Sequence, residues 1–188
     1  MIKISFAKKE DAAGIISVLQ EDLVINKAKK DIAKEGFLVY PFDLKEIKKW
    51  VSAKKCIILI AKDYQKKNVV GYTLGYNLLF WKKLKARWYG GISAHKEIKS
   101  LLINNEKNIL YLRHIARKKG FIGVGTELLK SLLLIAKRKE YKYLLCEILE
   151  HPIKNIISQR FFRRFNFKRV GFVVYLDKFV WGLYLCKL

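Results

Sequence analysis

The stretch ILYLRHIARKKGFIGVGTELLKSLLLIAKRKE, residues 109–140, decides the fold. Residues 109–117 form a mostly apolar run of strand length, and residues 126–140 carry Leu128, Leu132 and Ile135 at helical spacing. Between them lie Lys118 and Lys119 and the glycines Gly120, Gly123 and Gly125. A glycine loop that ends a strand and opens a helix lets main-chain amides and the positive end of the helix dipole meet one anion, so the spacing predicts a phosphate site. Two common nucleotide motifs fit it poorly. Leu128 stands where GxGxxG needs its third glycine, and no Gly-Lys-Ser/Thr follows for a phosphate-binding loop of the Walker kind. The same glycines would also serve an ordinary turn.

Working outward, residues 2–6 alternate as a short strand, and Ile15, Val18, Leu19 and Leu23 then recur at helical spacing. A second helix is expected over residues 44–53, after Pro41 and Asp43. CIILIAKD (56–63) and VVGYTLGYNLLF (69–80), separated by a polar turn, read as an antiparallel hairpin. YLLCEILE (143–150) reads as a strand, and the segment after Pro152 has Ile157, Phe161 and Phe165 at helical spacing. FKRVGFVVYL and KFVWGLYLCKL close the chain as two strands joined at Asp177-Lys178. Residues 81–107 are the least readable. Their opening mixes Lys82, Lys83, Lys85 and Arg87 with Trp81, Trp88 and Tyr89, a pattern that can touch an anionic or stacking partner or form a solvated loop. No repeat or low-complexity linker breaks the chain, so one domain over residues 1–188 is expected.

The chain has 188 residues, 39 Lys plus Arg against 16 Asp plus Glu, and a net charge of +23. Its 52% hydrophobic and 13% aromatic content excludes a disordered basic tail. Such a charge attracts nucleotides, coenzyme A, nucleic acid, acidic proteins or anionic lipid without choosing between them, or is a solvated surface left by a coding bias toward A and T. Cys56, Cys146 and Cys186 lie far apart, which argues against a zinc ribbon, a redox pair or a disulfide framework. No stretch resembles a leader or a membrane span, so a protein of the reducing cytoplasm with no membrane partner is expected. No GxSxG, HExxH or paired metal ligands occur, which leaves hydrolase and metalloenzyme readings without residues and predicts no metal site.

IARKKGFIGVGTELL resembles the acyl-CoA-binding motif of the GNAT superfamily of N-acetyltransferases, Q/R-x-x-G-x-G/A, with Gly120, Phe121, Ile122, Gly123, Val124 and Gly125 in its six positions. NIISQRFFRRFNF resembles the second signature of the family, N-x-x-A/S-x-x-x-Y-x-x-x-G-F, with Asn155, Ser158 and Phe167 in register and Phe161 beside the tyrosine position. The resemblance implies an α/β (α+β) fold with a mixed, mostly antiparallel sheet flanked by helices. In that fold a splayed central strand pair forms the acyl-CoA cleft. It also implies acetyl-CoA as co-substrate and direct attack of a primary amine on the thioester in a ternary complex. Main-chain groups of Arg113, His114 and Ile115 would meet the pantetheine arm, the amides of Gly120–Gly125 the pyrophosphate, and Asn155 and Phe162 would stand in the cofactor-side helix. Glycine permits the close backbone approach this needs, and Lys118 and Lys119 add charge nearby.

Three positions depart from the pattern. Gly120 replaces the usual Gln or Arg, and Asn166 replaces a glycine but tolerates a left-handed backbone. Phe162 stands where many relatives carry the tyrosine that protonates the departing thiolate, and phenylalanine has no proton to give. A thiolate of pKa about 8.5 is a tolerable leaving group, so water can serve, and Tyr111 is a substitute or a core aromatic. Deprotonation of the amine needs a base. Glu150, five residues before Asn155, is the first candidate and Glu147 the second, with His151 adjacent and His114 a further relay; either carboxylate can instead pair with Arg160, Arg163 or Arg164. The acceptor is left open between a small molecule, a protein and a tRNA-borne amine, with nucleic-acid or ribosome contact through the basic surface. The closing strands offer an edge for a homodimer. The competing readings are a catalytically degenerate domain that binds CoA or nucleic acid, and a transferase of longer acyl chains with Phe161, Phe162 and Phe165 lining the acyl pocket.

Overall fold

A computed structural model of the chain describes residues 2–80, 90–175 and 178–188. Among them are eight strands: β1 (Ile2–Phe6), β2 (Cys56–Asp63), β3 (Val69–Asn77), β4 (Ile92–Ala94), β5 (Ile109–Arg117), β6 (Tyr143–His151), β7 (Lys168–Val174) and β8 (Val180–Lys187). The six α-helices are α1 (Ala12–Asp22), α2 (Lys29–Glu35), α3 (Leu44–Val51), α4 (Lys96–Asn104), α5 (Val124–Arg138) and α6 (Ile156–Arg163). The strands lie in one mostly antiparallel sheet, in the order β1-β2-β3-β5-β6-β8-β7-β4. This is the α/β arrangement the sequence predicts. By contacts the chain divides into two compact units, Met1–Tyr76 with Leu112–Ile135 and Asn77–Tyr111 with Ala136–Leu188.

In the first unit β1 pairs antiparallel with β2 from Ile2↔Asp63 to Phe6↔Leu59, and β2 pairs antiparallel with β3, with a register slip between Ala61 and Lys62. Burial follows the apolar spacing. Ile15, Val18 and Leu19 of α1 and Leu128 and Leu132 of α5 are fully buried, each worth on the order of 1.5–3 kcal/mol. The helix expected over 44–53 begins on time, because Asp43 accepts the Glu46 amide at 2.7 Å while Glu46 accepts the Asp43 amide at 3.0 Å. It ends at Val51, and it buries Ile47 and Trp50 while Leu44 stays 42% exposed. A Cβ on Gly71 of β3 would lie 2.6 Å from a Val124 methyl and 3.1 Å from a Leu128 methyl, so this glycine seats the first turn of α5 on the strand.

In the second unit β8 pairs antiparallel with both β6 and β7, and β4 adds to β7 through Ile92↔Val173. A core of Ile92, Leu102, Ile109, Leu145, Val173 and Leu183 fills one face, with Tyr111 packed against it. Tyr111 therefore serves that core. Helix α4 and strand β4 fall in the stretch the sequence left unread, and α2 was also not expected. Helix α4 does carry Ile98, Leu101 and Leu102 at helical spacing, and all three pack in this core, whereas β4 has three residues and five of the seven residues of α2 are charged, so these two carry no readable apolar period. The aromatic and basic run 81–89 and the joint residue Asp177 lie outside the described residues. Among the described residues no helix is long and apolar enough to cross a membrane.

Candidate functional site

The end of β5 and the loop after it form a cradle of unspent donors. Lys118 donates its amide to the Val70 carbonyl at 2.8 Å, which fixes the exit of the strand. The chain then turns through Gly120 and Gly123, both at φ +86, a region that favours glycine. A Cβ built on either would meet nothing within 4 Å. Space is therefore open above both glycines. The amide of Val124 reaches the Phe121 carbonyl at 3.4 Å and that of Glu127 reaches Gly123 at 3.1 Å, while the amides of Gly120, Gly123, Gly125 and Thr126 find no protein acceptor among the described residues. Free amides at the mouth of a 15-residue helix, on glycines open to solvent, make an anion-binding concavity. Ile122, 90% exposed, gives its rim an apolar point.

The lysines beside this loop do not stand free. Lys118 Nζ donates to Ser17 Oγ at 2.9 Å and lies 3.3 Å from a Glu21 carboxylate oxygen. Lys119 Nζ lies 3.5 Å from carboxylate oxygens of both Asp31 and Glu35, whose charges raise its pKa. Arg117 donates its amide to Asp22 at 3.2 Å, and Asp22 pairs with Lys27 at 2.8 Å; burial raises the Asp22 pKa more than these partners lower it. The whole Arg117-Lys118-Lys119 run is thus held by acidic groups of α1 and α2. The sequence shows these lysines but not their partners, which lie up to 101 residues away in the chain.

On β5 the His114 side chain is buried and stacked on Phe42 with centroids 5.4 Å apart, and its Nδ1 is 3.1 Å from the Tyr72 hydroxyl. Burial, with Arg113 alongside, pushes its pKa well below the imidazole range, and burial pushes that of Tyr72 well up, so both are neutral at pH 7. Thr73 Oγ1 donates to the His114 carbonyl at 3.2 Å. Arg113 lies over the Trp50 ring at 5.2 Å, and Ile115 is half-buried. The side chain of His114 is a packed core group rather than an exposed relay.

In the second unit the two carboxylates of β6 face opposite ways. Glu147 pairs across the sheet with Leu183 of the apolar core and accepts the Tyr175 hydroxyl at 2.9 and 3.1 Å. Glu150 follows a register slip and takes Arg169 in a two-pronged pair at 2.7 and 2.9 Å, the Tyr184 hydroxyl at 3.2 Å and Gln159 at 3.4 Å. Burial raises the pKa of Glu150, but Arg169, then Tyr184 and Lys154, outweigh it and leave the carboxyl below its ordinary value. The alternative partner named from sequence was an arginine of α6; the observed partner is Arg169 of β7. Asn155 is buried and caps α6 by accepting the Ser158 amide at 3.2 Å. Phe162 packs edge-on against Phe161 at 5.2 Å and Phe167 at 5.0 Å, so its ring belongs to an aromatic core. Asn166 adopts φ +61, the left-handed backbone its position calls for.

The architecture has close counterparts among solved structures. A GNAT-family protein of Desulfovibrio desulfuricans superposes with a TM-score of 0.65 at 13% identity, over 100% of this chain and 99% of that one. The fold is that of the GNAT acetyltransferases. A Salmonella typhimurium protein solved with its cofactor acetyl-CoA gives 0.67 at 16% identity, over 100% and 94% of the two chains. A ribosomal-protein-alanine N-acetyltransferase of Brucella melitensis gives 0.64 at 14%, over 99% of each. No family model matches the sequence, and no curated protein does. The GNAT likeness therefore rests on backbone geometry that outlasts sequence similarity.

Proposed function

We propose that this protein is an acetyl-CoA-dependent N-acetyltransferase that moves an acetyl group to a primary amine by direct attack in a ternary complex. The observation that carries the reading is the set of unpaired amides at Gly120, Gly123, Gly125 and Thr126, over open glycines at the start of α5 in a GNAT fold. A pyrophosphate would satisfy those donors. Solved neighbours support the co-substrate, since one holds acetyl-CoA. Main-chain groups of Arg113 and Ile115 would take the pantetheine arm.

Direct attack fits the thiols. The three cysteines are free, and burial raises each pKa, that of Cys56 to about 11, so none supplies a thiolate nucleophile at neutral pH. Free cysteines also suit the cytoplasm. Of the two candidate bases we favour Glu147. A carboxylate held by a guanidinium below its ordinary pKa, as Glu150 is, is a weaker proton acceptor, and Glu147 accepts the Tyr175 hydroxyl at 2.9 Å. Glu150 then organises α6, β7 and β8. Phe162 provides no acid, and the thiolate leaves as the anion or takes a proton from water.

The test is a calorimetric titration with acetyl-CoA at near-physiological salt, with adenosine 3',5'-bisphosphate measuring the general attraction of anions to a chain of charge +23. Binding well above that control supports the reading, and binding no better than the control overturns it.

A further inference from the structure

Four of the eight arginines in the chain lie within residues 160–169, and residues 154–169 hold six cations and no Asp or Glu. The structure gathers them. Arg160, Arg163 and Arg164 follow one another at the i, i+3, i+4 spacing of a single helical face, and all three are exposed while Gln159 and Phe162 turn inward. Arg169 is engaged by Glu150, and Arg163 hydrogen-bonds Tyr184. Among the described residues no carboxylate lies within ion-pair distance of Arg160, Arg163, Arg164 or Lys168, and the charge of Lys154 bears on Glu150. More charge stands nearby, because Lys137 of α5 acts on the Cys186 thiol, which donates to the Phe165 carbonyl at 3.5 Å.

We propose that this face of α6, with Lys154 and Lys168 at its ends, docks the phosphate backbone of an RNA that carries the amine acceptor. Guanidinium groups suit phosphate because each offers a planar fork of donors. A net charge of +23 is matched in size by a long polyanion rather than by a short acidic peptide. Insertion into a lipid surface takes a broad apolar face beside the cations, whereas here Ile153 and Ile156, 43% and 45% exposed, stand beside the arginines and Phe161 is held 5.2 Å from Phe162 and 5.3 Å from Phe165. The acceptor clause rests on the acetyltransferase reading. Acetyl transfer needs an aliphatic amine with an available lone pair, and an aminoacyl ester on RNA presents one on a polyanion.

The probe is a fluorescein-labelled transfer RNA read by anisotropy across a salt series. Five phosphate contacts predict a log–log salt slope of about −4. Arg160→Glu/Arg164→Glu should weaken binding at least tenfold at about 100 mM salt and flatten the slope by about 1.5–2. Lys154→Glu/Lys168→Glu, off the helix, should repeat the loss if the helical variant is disturbed in folding. Lys45→Glu/Lys48→Glu on α3, an identical change of charge, should cost less than about threefold. Equal loss in that control overturns the surface, as does binding of anionic vesicles through the same arginines with transfer RNA unaffected. Acetyl-CoA affinity should be unchanged in the arginine variant; its loss there would assign the arginines to the cofactor and overturn the proposal. With aminoacylated transfer RNA as acceptor, kcat/KM should fall at least tenfold in the arginine variant while transfer to a small amine holds. If the wild type fails to bind acetyl-CoA while α6-dependent RNA binding persists, the transferase reading and the acceptor clause fall and the docking surface stands.

Discussion

The loop after β5 and the acidic end of β6 treat their polar groups in opposite ways. At the loop, four amides at the mouth of α5 are left without protein partners and the space above two glycines is open. At β6, Glu150 is met by a guanidinium, a phenol and an amide, and Glu147 by a phenol. Amides at a solvent-open helix start are hydrated at little cost, so several of them brought together there are available to an anion that displaces the water. Paired carboxylates are not available in that way. The loop is therefore the part built to take a ligand, and β6 contributes chemistry only where a pairing is weak enough to give way.

The largest test of that contrast is Gly125→Asp. Asp is well tolerated in the first turn of a helix, and Gly125 has an ordinary helical backbone, so the fold should survive. The new carboxylate would face the incoming pyrophosphate. We expect acetyl-CoA affinity to fall at least 100-fold by calorimetry with an unchanged melting profile; retained affinity would remove the loop from the site.

Next in size is the comparison of the two carboxylates. Glu147→Gln should lower kcat by about 100-fold, at the lower end of general base contributions, and leave the acetyl-CoA Kd unaltered. The reverse ranking, with Glu150→Gln the more damaging to kcat, would return the base role to Glu150. A smaller effect is expected from Arg169→Leu, which leaves Glu150 without its cation. Partial exposure of the pair limits the loss to about 1–2 kcal/mol, a few degrees in Tm. The native pKa of Glu150 is depressed, so the pair stabilises the fold above the unfolded carboxyl value of about 4.3, and that stabilisation is lost as pH falls through the lower native value. Wild type and variant should therefore differ in urea melts at pH 7 and converge near pH 3.

The sequence made the strand–loop–helix unit legible because each part announces itself locally: an apolar run, a cluster of glycines, a helical period through Leu128, Leu132 and Ile135, of which Ile135 is only half-buried and Ala136 takes the inner place. The hairpin, α1 and the closing strands were legible on the same terms. What stayed hidden is long-range. No local pattern links Lys119 to Asp31 and Glu35, or Glu150 to Arg169 rather than to the arginines of the next helix. The helix α6 was legible as a helix but not in its facing, since the expected apolar stripe through Ile157, Phe161 and Phe165 is only half-buried and Gln159 and Phe162 take the inner side. Eight residues give barely two turns, and the inner side of so short a helix holds Phe162 against Phe167 and Gln159 within reach of Glu150.

The smallest expected effect tests whether the cradle is held back by its own neighbours. Lys119 is the cation nearest in sequence to the open glycines, yet it is shared between two carboxylates of α2 at 3.5 Å. Its side chain is 68% exposed, so these pairs are weak and an arriving phosphate can compete for the ammonium. Asp31→Asn/Glu35→Gln should free Lys119 and tighten acetyl-CoA binding about threefold at low salt, with the gain fading above about 0.3 M as screening shortens the reach of the charge. In a Lys119→Met background the same double substitution should change affinity only through the general field, by less than the threefold gain. A gain of equal size in both backgrounds would mean that α2 acts on the site through its net charge, and the pairing with Lys119 would carry no part of the effect.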